Sequence, residues 1–242
     1  PILGSLLFEY ISWKGVFVFL ALIGVIVLIF SFRLKESLSV ENRLQGSIFS
    51  TFLTFGVIIK NRLFMSYVGI QSFLFGSMFA YIAASPFIFQ SFYGLSAFIF
   101  SLCFGANGAA LVIGANVGGK LPNRKALAIG VLAFVVAALY TIAVLIIQPY
   151  WLFVEIGFFA MLLLMGITFP AISSLAMESE RQYAGSASAL LGFAPFFLGG
   201  VVSPLVGIGN IFYSTSFVIL ICALLALSIY WVIRHKIPTS AE

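Results

Sequence analysis

The sequence predicts an all-α, polytopic membrane protein, and three of its features carry that prediction. Charge is scarce: 8% of the 242 residues are Asp, Glu, Lys or Arg, whereas 62% are apolar and 17% aromatic; a soluble domain carries roughly 25% charged residues. Twelve basic and seven acidic side chains cannot supply the charged skin that a chain of this size needs in water. The apolar residues also gather into runs long enough to cross a hydrocarbon core of about 30 Å, which takes roughly 20 helical residues. The remaining charges fall in short gaps between those runs, so the net charge of +5 reads as membrane topology rather than as a nucleic-acid surface.

The runs lie near 14–34, 66–90, 96–118, 126–148, 150–176, 185–208 and 211–233, and residues 1–11 are part of an earlier one. Backbone groups in lipid must be bonded internally, so each run is expected to be a helix; a β-barrel would need short alternating strands, which are absent. Arg33, Lys35, Arg43, Lys60 and Arg62 share one gap, Lys120, Arg124 and Lys125 a second and Arg181 a third, with Arg234 and Lys236 following the last run. In a strictly alternating topology these lie on one side and only Lys14 on the other. The positive-inside rule makes the basic side cytoplasmic, C-terminus included. The opposite gaps, QSFYGLS, QPYW and GIGNIFYS, are uncharged and aromatic, as suits an interface.

No methionine precedes Met65, and no leader with a charged start, an apolar core and a small-residue cut is visible. If the run at 14–34 enters from outside, residues 1–11 are the outer half of a preceding span, and the chain reads as a fragment lacking its first part. Within the long gap from Arg33 to Arg62, Ser47, Ser50, Thr51 and Thr54 oppose Ile48, Phe52, Phe55 and Ile59 at helical spacing. An interfacial amphipathic helix is expected there, as a connector between two bundles or as a regulatory segment.

Small residues recur at helix-packing intervals: Gly185, Ser188, Gly192, Gly199 and Ser203 in one run, Gly69, Ser72 and Gly76 in another, Gly105, Gly108 and Val112 in a third. Such stripes let helix backbones approach closely. Pro86, Pro170, Pro195 and Pro204 are expected to interrupt or bend their spans, each removing a backbone donor.

AYIAASPFIFQSFYGLS at 80–96 and AGSASALLGF at 184–193 resemble the seventh and eleventh helices of the bicyclomycin/chloramphenicol-resistance (Bcr/CflA) drug transporters of the major facilitator superfamily. PILGS resembles the end of the fifth-helix G-P-x-x-G-G motif, with Ser5 for the last glycine. ISWKGVFVF resembles the W-R-x-x-F start of the sixth helix, with Lys14 for arginine. The resemblance implies a twelve-helix parent: residues 1–34 would close the N-terminal bundle (part of helix five, then helix six), 35–62 would be a cytoplasmic linker, 63–236 the C-terminal six-helix bundle and 237–242 a cytoplasmic tail. GKLPNRKAL resembles the second copy of the inner-loop pattern G-x-x-x-D-R-x-G-R-[KR] through Gly119, Asn123, Arg124 and Lys125. That loop locks the inner gate in the family; here asparagine replaces the acid and the spacing is shorter, which leaves a basic anchor as the alternative.

A charge near the bilayer centre costs about 2.5–3.5 kcal/mol on insertion scales, so buried polar residues are the functional candidates. Glu155 stands about five residues, or roughly 7 Å at 1.5 Å per residue, into its span. Facing the bundle it is the proton-coupling candidate; facing the headgroups it is a surface acid. Gln71, Tyr81 and Asn107 are the other mid-span polar groups, and Phe75 follows Gln71 by one turn. By resemblance, helices seven, eight, ten and eleven line a cavity, to which Gln71, Phe75, Tyr81, Asn107, Glu155 and Phe193 are assigned. An aromatic wall with few polar groups suits a small amphipathic, drug-like substrate.

Enzymatic chemistry finds little support. His235 joins a basic cluster, no aspartate occurs, and Cys103 and Cys222 lie in different spans without ligand partners. The reading is a fragment of a proton-coupled multidrug efflux antiporter of the bacterial inner membrane, conferring antibiotic resistance. It would be a monomer needing no cofactor beyond the proton gradient and no nucleic acid. Its partners would be lipid and the missing N-terminal half of the same protein. The alternative is a non-transporting scaffold or channel-like bundle, which predicts Glu155 facing lipid or a partner.

Overall fold

The computed structural model of the chain describes residues 2–34 and 54–237. Among the described residues seven helices are long and apolar enough to cross a membrane, and no strand occurs. They are α1 (Ile2–Ser31), α2 (Arg62–Pro86), α3 (Ala97–Gly118), α4 (Asn123–Ile147), α5 (Trp151–Ser179), α6 (Ala184–Val206) and α7 (Ile211–Ile233). Of the expected interfacial helix, Ser47, Ile48, Ser50, Thr51 and Phe52 lie outside the described residues, as do the rest of 35–53 and the tail from 238 onward; residues 54–58 are helical, with Ile58 buried and Ile59 exposed.

Three helices begin where a side chain accepts from free N–H groups of the first turn. Asn61 Oδ1 accepts from the N–H groups of Leu63 and Phe64, which starts α2 several residues before the apolar run proper. Asn210 does the same for Phe212 and Tyr213 at α7, and Ser96 for Ile99 at α3. Pro122 and Pro149 stand just before α4 and α5, where a missing donor costs nothing. Gln148, left-handed at φ 54°, ends α4.

None of three prolines interrupts its span: α5 runs on through Pro170, and α6 through both Pro195 and Pro204. A TM helix tolerates proline because neighbouring helices and side chains re-satisfy the freed carbonyls. Only Pro86 coincides with a change of winding, α2 passing into a π-helical turn at Phe87–Phe92. Residues 2–31 form one helix broken at a single residue, Ser12, with φ 60° and ψ 174°. That break falls between the segments read as parts of two spans, and no loop separates them.

α2 and α5 form the centre. α3 and α4 pack on α5, α6 and α7 pack on α2, α4 meets α7, and α2 touches α5 directly. Hydrogen bonds tie like ends together. At the basic end, Asn61 donates to Glu180 Oε1 at 2.6 Å and Asn123 to Ser174 Oγ at 2.9 Å; at the aromatic end, the Tyr93 hydroxyl donates to the Pro149 carbonyl at 2.8 Å. The tightest seam is α3 on α5. A Cβ on Gly114 would collide with the Leu163 carbonyl, one on Gly118 with the Ile167 carbonyl, and one on Gly166 with the Leu111 carbonyl. Of the small residues expected to pack, Gly199 meets Phe79, Gly69 meets Ile229 and Gly76 meets Cys222, whereas Gly108, Gly185 and Gly192 face open space.

α1 stands apart from this core. It leans on α3, yet the stretch Ile11–Ser31 has no buried residue.

Candidate functional site

Three of the polar residues singled out by sequence meet inside the bundle. Tyr81 comes from α2 ahead of the Pro86 turn, Asn107 from the middle of α3 and Glu155 from the second turn of α5. Their relative exposures are 1%, 0% and 7%. Asn107 Nδ2 donates to the Tyr81 hydroxyl at 2.9 Å and to Glu155 Oε2 at 3.2 Å. Glu155 therefore faces neither headgroups nor lipid. Two acceptors of the cluster, Asn107 Oδ1 and Glu155 Oε1, are buried without a hydrogen-bond partner. Buried polar atoms are nearly always paired, so two orphans in one cluster call for a chemical reason.

Aromatic rings surround this cluster. The Tyr81 ring lies 4.8 Å from Phe158 and 5.6 Å from Phe104, and Phe89 lies 6.3 Å from both Phe100 and Phe158. The side-chain amide, carboxyl and phenol are thus held by α3, α5 and α2 inside an apolar shell.

A second aromatic group forms where α2, α5 and α6 converge. Phe75 stacks on Phe169 at 5.1 Å and lies 5.5 Å from Phe196 and 6.2 Å from Phe79. Gln71, one turn before Phe75, is half-buried with Oε1 unpaired. Phe193 belongs to neither group: it is 63% exposed and stacks on Phe197 at 5.5 Å. The α6 ring beside Phe75 is Phe196, three residues on and 62% exposed. Phe79, Phe169 and Phe196 escaped the sequence reading, although Phe79 is one helical turn from Phe75 and legible on that ground.

At the basic end, Gly119 closes α3 by donating its N–H to the Ala115 carbonyl at 2.9 Å. Asn123 uses its amide as a donor to Ser174, a bond that an ionised aspartate could not make in that direction. Arg124 and Lys125 are exposed. His235 accepts from Arg234 Nε at 3.0 Å, and among the described residues no His, Cys, Asp and Glu side chains group to hold a metal ion.

The family profile described as Major Facilitator Superfamily matches residues 1–204. This chain belongs to that superfamily. It is 37% identical over 210 residues to "Uncharacterized MFS-type transporter YdgK" of Bacillus subtilis, covering 85% of this chain and 52% of the relative. It is 27% identical over 221 residues to "Bicyclomycin resistance protein homolog" of Haemophilus influenzae, covering 85% and 53%. An "Uncharacterized transporter" of Rickettsia felis is 32% identical over 131 residues, covering 51% and 30%. The chain spans about half the length of the first two relatives. The resemblance to the superfamily is therefore met, the chain is a multi-pass membrane protein, and two of these relatives are named as transporters.

Proposed function

We propose that this chain supplies the C-terminal half of a proton-coupled multidrug efflux antiporter of the bacterial inner membrane, with its basic end and C-terminus cytoplasmic. Such carriers rock two bundles about a midplane site. The observation that carries the reading is the orientation of Glu155, which is turned into the bundle against Asn107 and Tyr81. A scaffold or channel-like bundle has no use for a buried acid there and was expected to point it at lipid or a partner. The Phe75, Phe79, Phe169 and Phe196 group, with Gln71 beside it, offers a flat apolar surface and an acceptor to an amphipathic aromatic drug. Bicyclomycin, named in one relative, and other drugs of mixed polarity are the substrates to try.

Proteoliposomes loaded with ethidium and given a proton gradient test this. The chain alone holds the dye, and the chain with helices one to four and the first part of helix five of a superfamily member joined ahead of Pro1 releases it only while the gradient lasts. Glu155→Gln in the joined carrier removes the gradient dependence. Dye release by the chain alone, or release by the joined carrier indifferent to protons, rejects the proposal.

A further inference from the structure

We propose that Glu155 and Asn107 form a neutral acid–amide pair: the carboxyl carries a proton on Oε1 and donates it to Asn107 Oδ1, so that α3 and α5 are joined by a one-proton binding site. The argument begins with the orphaned atoms. Asn107 Nδ2 already donates to Glu155 Oε2 at 3.2 Å. What lacks a partner is one further oxygen on each of the same two side chains. Both are acceptors if Glu155 is ionised, and two acceptors cannot satisfy one another. A single proton converts Oε1 into a donor, gives each orphan a partner, and closes the two side chains into a ring of two hydrogen bonds.

The surroundings favour the neutral form. Facing Glu155, α2 contributes the Tyr81 phenol and α3 contributes Asn107 and the Cys103 thiol. From α4, Thr141 packs against Gly157 and the Tyr140 hydroxyl donates to the Phe153 carbonyl. α6 has no titratable side chain. None of these groups is a cation. The other described acid of α5, Glu178, lies 23 residues further along the helix, or roughly 35 Å. The N-terminal field of α5 falls off within the first turn, and Glu155 stands beyond it. An unpaired carboxylate in this shell would meet a desolvation cost with no compensation.

The pair also has a mechanical consequence. Because Glu155 is 7% exposed and Asn107 fully enclosed, the proton leaves for water only when α3 and α5 part near the aromatic end. Release breaks the Oε1–H bond, sends the proton to outside water and leaves a carboxylate. As a coupling site this rests on the antiport reading above; as a protonated pair it is measured without any transport.

Infrared difference spectroscopy of the chain in nanodiscs near neutral pH, with carbon-13-labelled glutamate, decides it. The expected result is a protonated carboxyl C=O band that is lost in Glu155→Gln and that shifts in Asn107→Ala, whose amide oxygen is gone. Glu155→Gln is expected to keep the native melting midpoint, since its amide can supply the same donor. Absence of the band, with carboxylate signal only, overturns the proposal and assigns the orphans to a bridging donor such as water. A band present but unmoved by Asn107→Ala overturns the pairing. A band with both properties, in a joined carrier whose efflux ignores the proton gradient, leaves the pair standing and removes only its coupling role.

Discussion

Tyr81 shows how much one hydroxyl carries in this bundle. Its ring is fixed by Phe104 and Phe158, and its oxygen takes one of the two hydrogen bonds that the Asn107 amide makes. Tyr81→Phe keeps the stacking and removes only the acceptor. Asn107 retains Glu155 but is left with one buried N–H unpaired, so the expected cost is about 1–3 kcal/mol. Tyr81→Leu, which strips the ring as well, is expected to cost about 3–5 kcal/mol, in the range of a truncated buried aromatic. Thermal unfolding in detergent checks the order, and equal losses for the two variants would place the stabilisation in the ring alone. Each member of the cluster was legible in the sequence as a polar residue within an apolar span. That they meet was not, because Asn107 is 26 residues from Tyr81 and 48 from Glu155, and a helix apolar on every side gives no pattern that fixes its rotation. Phe193 illustrates the same limit: it stacks on Phe197, whereas Phe196, equally exposed, is the α6 ring that lies beside Phe75.

Among the helices, glycine decides which pair comes closest. α3 and α5 approach until backbone meets backbone at Gly114, Gly118 and Gly166. Gly114 and Gly118 are one turn apart, the small-xxx-small spacing that supports close crossing in lipid. Gly114→Ala and Gly118→Ala drive a methyl group into a carbonyl of α5 that cannot move alone, so each is expected to cost roughly 1–3 kcal/mol, the usual penalty for overpacking. Gly108→Ala lies on the same helix with open space before it, and alanine there is expected to be neutral or slightly stabilising through helix propensity. A melting series over the three positions separates packing from propensity, and a uniform response would deny the seam. Spacing alone also points to Gly108 and Gly185, which face open space, because a stripe marks a smooth face without saying whether another helix lies on it. The prolines teach a related lesson. Pro170, Pro195 and Pro204 sit within unbroken helices, since the missing donor is a local loss that the packed surroundings absorb.

For the whole molecule, the number of spans and their approximate ends follow from hydropathy, whereas the order of the helices around the bundle depends on contacts that hydropathy does not record. The arrangement places α2 and α5 centrally, with α3, α4, α6 and α7 packed about them. The hydrophobic core formed by the described residues draws on these six helices and begins, in chain order, at Ile58. α1 is outside it: the helix touches α3, and its long apolar stretch buries none of its residues. In water such a helix would aggregate; in lipid its exposed faces carry little cost, and bundle stability comes from packing elsewhere. Removing residues 1–53 is therefore expected to leave α2–α7 folded, with a melting midpoint in detergent close to that of the full chain. The same truncation in a joined carrier is expected to abolish efflux, because α1 is the covalent and packing route to any N-terminal bundle. A truncated chain that aggregates or melts at a clearly lower temperature would show that α1 stabilises the bundle through its contact with α3. Circular dichroism melts of both chains, read beside the infrared band of Glu155, separate loss of the bundle from loss of its partner.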